Sequence, residues 1–258
     1  MAQDIKYYLD GVDMASYGVY VSASKGLLSR PKAKASVKEN WTARHGVIRD
    51  NSTRYVEERT ITLDCFIKTT GGASGFATAM NTFLNLFAKA GTIRLMVEVS
   101  ASKPLVYEVY LEDSIDPDKI WQSAQMTGTF RLVLKEPSPV KRVIKFVASS
   151  GSKTASITIT TSKIVTIYWG DGNVTDDVSG TSNTVTHTYS SNGTYFIIVA
   201  GVIEEIAALT TTGTVIWQKL CCSRSVTPTE PKHFWNRTPT GPSSRRRNKP
   251  SAKTIRTS

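Results

Sequence analysis

The sequence predicts a mainly β protein: an N-terminal β-sandwich with one α-helix, then a small immunoglobulin-like β-sandwich and a disordered basic tail. Three observations carry that expectation. Apolar residues alternate with polar ones over long stretches, as in "RYVEERTITLDCFIK". Only one stretch, "SGFATAMNTFLNLFAKA", changes to helical spacing. Glycine-containing turn pairs punctuate the rest.

The elements follow in chain order. "YYLDGVDMASYGVYVSASKG" gives two short strands around Asp10-Gly11, a strong hairpin pair. In the next long strand Ile61, Leu63 and Cys65 fall on one side, with Thr60, Thr62 and Asp64 on the other. Phe76, Met80, Phe83, Phe87 and Ala90 then share one helix face, with Ser74 as a candidate N-cap and Gly91 as the C-terminal stop. "TIRLMVEV" and "LVYEVYLEDSI" predict a strand pair, and "QMTGTFRLVLKEPSP" a strand ending at Pro137 and Pro139, a candidate linker. From about Val143 to Leu220 there is no proline. There "ASITITT", "KIVTIYW", "TVTHTY" and "TYFIIVA" predict short strands, Asp171-Gly172 a hairpin turn, and "TVIWQKL" a last strand. Residues 221–258 hold five of the ten prolines and no hydrophobic period, the composition of a disordered tail.

Charge and composition restrict function. The formal net charge is +11, but residues 221–258 alone carry nine Lys or Arg against one Glu, leaving +3 on the first 220 residues. The basic character belongs to the tail, and Arg245-Arg246-Arg247 without interleaved aromatics implies salt-sensitive polyanion contact and no specific nucleic-acid partner. No apolar run of about 18 residues predicts membrane insertion. The opening "MAQDIKYYLDGVD" lacks an apolar signal-peptide core, so synthesis in a cytoplasm is expected. Cys65 reads as a small core residue, and Cys221-Cys222 has no second pair at metal-ligand spacing.

Candidate chemistry is sparse. No phosphate loop, dinucleotide fingerprint, zinc helix or nucleophile elbow occurs, so no catalytic residue, metal or cofactor is assigned and the chain is read as a non-enzyme. Asp171, Asn173, Asp176 and Asp177 offer oxygen ligands, but Thr175 and the lack of a following Glu depart from the EF-hand pattern. Glu57-Glu58 beside Arg54 and Arg59 reads as a solvated strand face or ion-pair cluster. "YWGDG" and "HTYSSNGTY" are explained by folding. Trp169 ends an inner strand, Asp171 caps the turn, and Gly172 takes positive φ. His187 is a partly buried hydrogen-bonding residue, Tyr189 and Tyr195 pack beside the second turn, and Gly193 plays there the backbone role of Gly172. The segment 30–59, long and polar for a connection inside a domain, is the candidate interface with other subunits. Its contact residues are Trp41, Arg44, His45, Arg49 and Arg54.

Two family resemblances fit this layout. Over residues 1–142, the order "YYLDGVDMASYGVYV", "ENWTARHGVIRDNSTRYVEERTITLDCFIK", "FATAMNTFLNLFAKAG", "TIRLMVEV" and "YEVYLEDSI" resembles the N-terminal domain of bacteriophage distal tail proteins. That resemblance implies a hexameric ring between the tail tube and the tip or baseplate. Its partners would be copies of itself, the tube protein and tail-tip or fibre hub proteins, in a virion made in a bacterial cytoplasm. Over about 143–200, "YWGDG" and "HTYSSNGTY" resemble the polycystic-kidney-disease (PKD) type of β-sandwich, the module expected over 143–220, which would sit outward and touch a host glycan. The competing expectation is a non-virion surface protein that binds carbohydrate through its PKD-like module.

Overall fold

The computed structural model describes residues 5–35, 38–40, 42–43, 45–49, 55–100, 103–120 and 125–216. Strands β1 (Lys6–Leu9) and β2 (Val12–Asp13) close a hairpin in which Leu9 faces Val12. The two loop residues, Asp10 (φ 46°) and Gly11 (φ 83°), are both left-handed, as a tight hairpin loop matching strand twist requires. Strand β3 (Val19–Lys25) follows. Next come the two-residue strands β4 (Lys38–Glu39) and β5 (Ile48–Arg49), and then β6 (Arg59–Thr70). Helix α1 spans Gly72–Asn85. Strands β7 (Ile93–Glu98), β8 (Leu105–Leu111), β9 (Asp118–Ile120) and β10 (Gln125–Glu136) complete the first half.

All pairings among these strands are antiparallel, in the order β2-β1-β7-β8-β10-β6-β3, with β9 also on β10. Among the described residues β8 meets β10 over a short stretch, Leu111 opposite Leu134 and Tyr110 opposite Lys135. The sheet bends at that narrow join, and its two parts bury their apolar faces against each other. Leu9, Leu95, Val97 and Val109 from one part share a core with Ile61, Leu63, Ile67, Leu132 and Leu134 from the other, all at most 1% exposed. The alternation of Ile61, Leu63 and Cys65 reads directly as burial, while Thr60, Thr62 and Asp64 are not buried.

The helix lies on β6 and β10. Phe76, Met80 and Phe83 are buried, Phe87 is half-buried, and Phe83 meets Tyr17, Phe87 and Phe130 at ring-centroid distances of 6.1, 5.6 and 5.7 Å. Phe76 sits against Gly128 of β10, where a Cβ would lie 2.9 Å from the ring. Two helix-end expectations are corrected. Gly71 (φ 103°) is the N-cap and Ser74 lies inside the first turn, because only glycine adopts that reversal cheaply after β6. At the other end the chain tightens into a 3₁₀ turn at Leu86–Ala88 and leaves it extended at Lys89, so Ala90 is exposed and Gly91 lies past the stop.

After residues 137–140 the chain enters a second antiparallel sheet. Its strands are β11 (Lys141–Ala148), β12 (Thr154–Tyr168), β13 (Val174–Thr188), β14 (Gly193–Gly201), β15 (Ile206–Thr211) and β16 (Thr214–Ile216). The order is β13-β12-β14-β11-β16, with β15 also on β12. "ASITITT" and "KIVTIYW", expected as two strands, form the single strand β12, because the bulged stretch Thr161–Val165 keeps its pairing with β13. A separate core holds Ile157, Ile159, Ile167, Trp169, Tyr189, Ile197 and Val199. Both halves belong to one compact unit. The tail 221–258, and residues 217–220 of "TVIWQKL", lie outside the described residues.

Replacing Phe83, fully buried at the centre of the aromatic cluster, by alanine is expected to lower unfolding free energy by about 3–5 kcal/mol. A urea titration of the purified protein checks the value.

Candidate functional site

The WGDG and HTY sequences belong to opposite ends of one folded ribbon. Strands β12 and β13 pair from Thr154↔Thr188 to Tyr168↔Val174, with register shifts between Ile159 and Ile167. The first part of β12 also pairs with β15, and its last part with β14. The ribbon therefore changes layers in the middle. Thr161 Oγ1 accepts from Lys163 N (3.2 Å) and donates to Lys163 O (3.1 Å), which satisfies the irregular backbone there. Across the fold, Gly180 (φ 118°) and Ser182 (φ 50°) take left-handed turns.

Folding the ribbon brings its ends together. Trp169 is 1% exposed and its Nε1 donates to Thr175 Oγ1 at 2.9 Å. The His187 ring stacks on Trp169 (5.0 Å, 25°) and meets Tyr189 edge-on (4.8 Å, 90°). Tyr189 donates its hydroxyl to Trp169 O (2.9 Å) and stacks on Tyr195 and Phe146. Burial pushes the Tyr189 hydroxyl well above its ordinary value. Asp171 Oδ1 accepts from Asn173 N (3.1 Å), and Asp171 Oδ2 lies 2.7 Å from His187 Nε2. Burial alone would raise the Asp171 pKa, but the hydrogen bonds from His187 and Asn173 outweigh it and hold the carboxyl below its usual range. An ionised carboxylate only accepts, so His187 Nε2 carries the proton.

Gly172 (φ 90°) takes the expected positive φ. Gly193 does not. It begins β14 in ordinary strand geometry, and a Cβ there would touch the Tyr195 ring no closer than 3.6 Å. The demanding glycine is Gly170 (φ 95°), where a Cβ would lie 2.9 Å from Phe196 O and closer still to the Arg94 guanidinium.

Arg94 belongs to the junction between the sheets, which sequence reasoning missed. Arg94 Nε donates to Glu108 Oε1 at 2.6 Å, and Arg94 Nη1 donates to Phe196 O. One signal was present: Arg94 and Glu108 stand directly opposite in the β7–β8 pair, a cross-strand charge match. A second cluster holds Arg59, Glu136 and Lys141, at most 4% exposed at the side chain. Lys141 Nζ donates to Glu136 Oε1 and Val106 O and lies 4.4 Å from the Tyr107 ring centroid. Burial pulls the Lys141 pKa down against the opposing pull of Glu136. Arg59, expected on a solvated face or in an ion-pair cluster, is buried, with Nε 3.3 Å from Glu136 Oε2. Its neighbour Glu58 fits the ion-pair reading, 3.2 Å from Lys135.

Beside the WGDG turn is a cavity of about 170 Å³, lined among others by Asp10, Lys89, Arg94, Glu108, Tyr168 and Asn173. Among the described residues no three His, Cys, Asp or Glu side chains converge on a point that could hold a metal ion. Among them, too, no helix is long and apolar enough to cross a membrane.

The described residues between 32 and 57 pair as a two-stranded ribbon. Ala33 bridges Val56, Lys34 N donates to Tyr55 O (2.9 Å), Glu57 N donates to Lys32 O (2.7 Å), and β4 pairs with β5 further out. His45, Gly46 and Val47 are exposed near its tip, and Arg49 lies on β5. Trp41, Arg44 and Arg54 lie outside the described residues.

No family model matches this chain, and no curated protein does. Among solved structures its fold is similar to the Dit protein of phage SPP1, described as a paradigm of the hub adsorption apparatus in phages that infect Gram-positive bacteria. That match has 14% identity and a TM-score of 0.40, covering 83% of this chain and 96% of that one. It is also similar to a chain of the phage p2 baseplate in its activated conformation with Sr, at 8% identity and a TM-score of 0.43, covering 78% and 99%. At these values neither likeness assigns a role.

Asp171→Asn is expected to destabilise the protein at neutral pH. The lowered folded-state pKa means the carboxylate adds stability above the unfolded value, and that stability is lost as pH falls through the folded one. Urea midpoints of variant and wild type should therefore differ most above about pH 5 and converge in acid. His187→Ala, which removes a stacked ring and a hydrogen bond, should cost about 1–3 kcal/mol at pH 7 in the same titration.

Proposed function

We propose that this protein is a structural component of a phage tail, a distal-tail protein that forms a ring between tube and tip or baseplate. The observation that carries the reading is the ribbon at residues 32–57. Its described tip is exposed, and among the described residues β4 and β5 pair with no third strand. An isolated two-stranded hairpin is marginal in water. Such an arm is best accounted for by a surface on another subunit that completes it, and Trp41, Arg44, His45, Arg49 and Arg54 are its contact residues. Ring closure of this kind needs interfaces on the order of 2,000 Å² each and a rotation that closes on itself.

The polar groups support the same reading from the other side. His187, Asp171, Arg94, Glu108, Glu136 and Lys141 are each engaged by a neighbour within the fold, which gives each an architectural reason to be there. The protein works by association. Its partners are copies of itself, the tube protein and tip or fibre hub proteins, and its place is the virion, after synthesis in the bacterial cytoplasm. The second sheet belongs to a PKD-like outward module, expected over 143–220, carried on a ring-forming part expected over 1–142.

A second reading, a surface protein that binds carbohydrate, is favoured by the cavity beside Tyr168, Lys89 and Asp10, which has the mixed polar and aromatic lining a sugar ring uses. Light scattering after size exclusion separates the two. The tail reading expects a mass several times that of the 28.3 kDa chain. A monomer that retains specific spots on a glycan array would replace it with the second. Exchanging residues 34–55 for a short Gly-Ser turn should convert the assembly to folded monomers with unchanged circular dichroism. Assembly that survives the exchange would remove the arm from the interface.

A further inference from the structure

We infer that the two sheets are locked at one fixed angle by a reciprocal exchange of cations, so that the second half is a rigid spur and not a hinged appendage. Each half sends one cationic side chain to a backbone carbonyl of the other. From the first sheet, Arg94 on β7 reaches Phe196 O on β14. From the second, Lys141 on β11 reaches Val106 O on β8. Each cation has its own carboxylate in the first half, Glu108 for Arg94 and Glu136 for Lys141.

The exchange straddles an apolar seam. Val106 packs with Val143, Ile198 and Ala200, all at most 2% exposed, and Met96, Tyr168 and Phe196 border them. Apolar contact alone is non-directional and tolerates sliding. The two carbonyl contacts are directional, and they involve different strands on both sides. One such point would leave a swivel, whereas two fix rotation as well. A small rotation would break both, leaving the two carbonyls without these donors and drawing Lys141 away from Glu136. The seam therefore specifies an angle as well as an association.

Two further features fit a lock. The connection through Pro137 and Pro139 looks like a hinge in sequence, yet Pro139 is buried and Val140 packs on the second core. Gly170 lets the WGDG turn approach the Arg94 guanidinium, which a side chain there would displace. The turn that resembles a PKD signature is thus also a docking element. This inference stands whether or not the protein assembles into a tail.

Spin labels test it in the full chain, with Cys221 and Cys222 replaced by serine and labelled cysteines placed at the exposed positions Lys68 and Thr184, one in each half. A second pair at Lys153 and Thr184 reports on the second half alone. The inference expects one narrow Lys68–Thr184 distance distribution in the wild type. It should become at least twice as broad in Arg94→Met combined with Lys141→Met, with the Lys153–Thr184 distribution unchanged. A broad distribution in the wild type would overturn it. So would a double variant that keeps the narrow distribution, since the apolar seam would then suffice. If the double variant does not fold, Lys141→Met alone, which by the same argument leaves a swivel, is expected to broaden the Lys68–Thr184 distribution, and an unchanged width would overturn the lock.

Discussion

The constraint on which the second half of this molecule depends is that a 15-residue strand must serve both layers of its own sandwich. Strand β12 pairs with β15 in its first part and with β14 in its last, and β13 follows it throughout. Once the ribbon folds at Thr161–Val165, its two ends have to meet, and the residue types at those ends follow. Trp169 fills the space between layers, His187 covers it, and Asp171 fixes the His187 ring. The Asp171 oxygens are taken by Asn173 and His187, and the Tyr189 hydroxyl by the Trp169 carbonyl.

The same logic governs the junction. Taking Arg94 and Lys141 out of water is expensive unless each finds a carboxylate and a carbonyl. Those partners come from both halves, so the local electrostatic requirement becomes a global geometric one. A protein that presents an outward module from a ring would profit from such a fixed angle. Load or position at one half is then passed to the other through packed side chains instead of a slack linker.

Legibility in the sequence tracked how local each cause is. The Asp10-Gly11 hairpin, the alternation at Ile61, Leu63 and Cys65, the helix face at Phe76, Met80 and Phe83, and the Asp171-Gly172 turn are set by neighbours a few residues apart, and all were readable. The continuity of β12 was not, because Ser162, Lys163 and Ile164 are exposed and break the apolar alternation. Nor was most of β13, whose "NVTDDVSGTSN" sends Val178 into the core but shows no apolar alternation, and takes its strand state from pairing with β12. Gly193 was misread because a glycine beside a turn suggests left-handed backbone, while its place at the head of β14 needs none. The burial of Arg59 was invisible, since Glu136, which stands opposite it in the β6–β10 pair, is 77 residues away in the chain. Ser74 has the right residue type for a cap, but Gly71 starts the turn first.

Under the proposed function this chain acts through its surfaces, and its interior polar groups hold its own architecture. Electron microscopy of the purified protein decides between this and a solitary subunit. Closed rings are expected, with the 32–57 arm of each subunit against its neighbour. Single copies with that arm folded back on their own sheet, at concentrations where a stable ring would persist, would rule the proposal out.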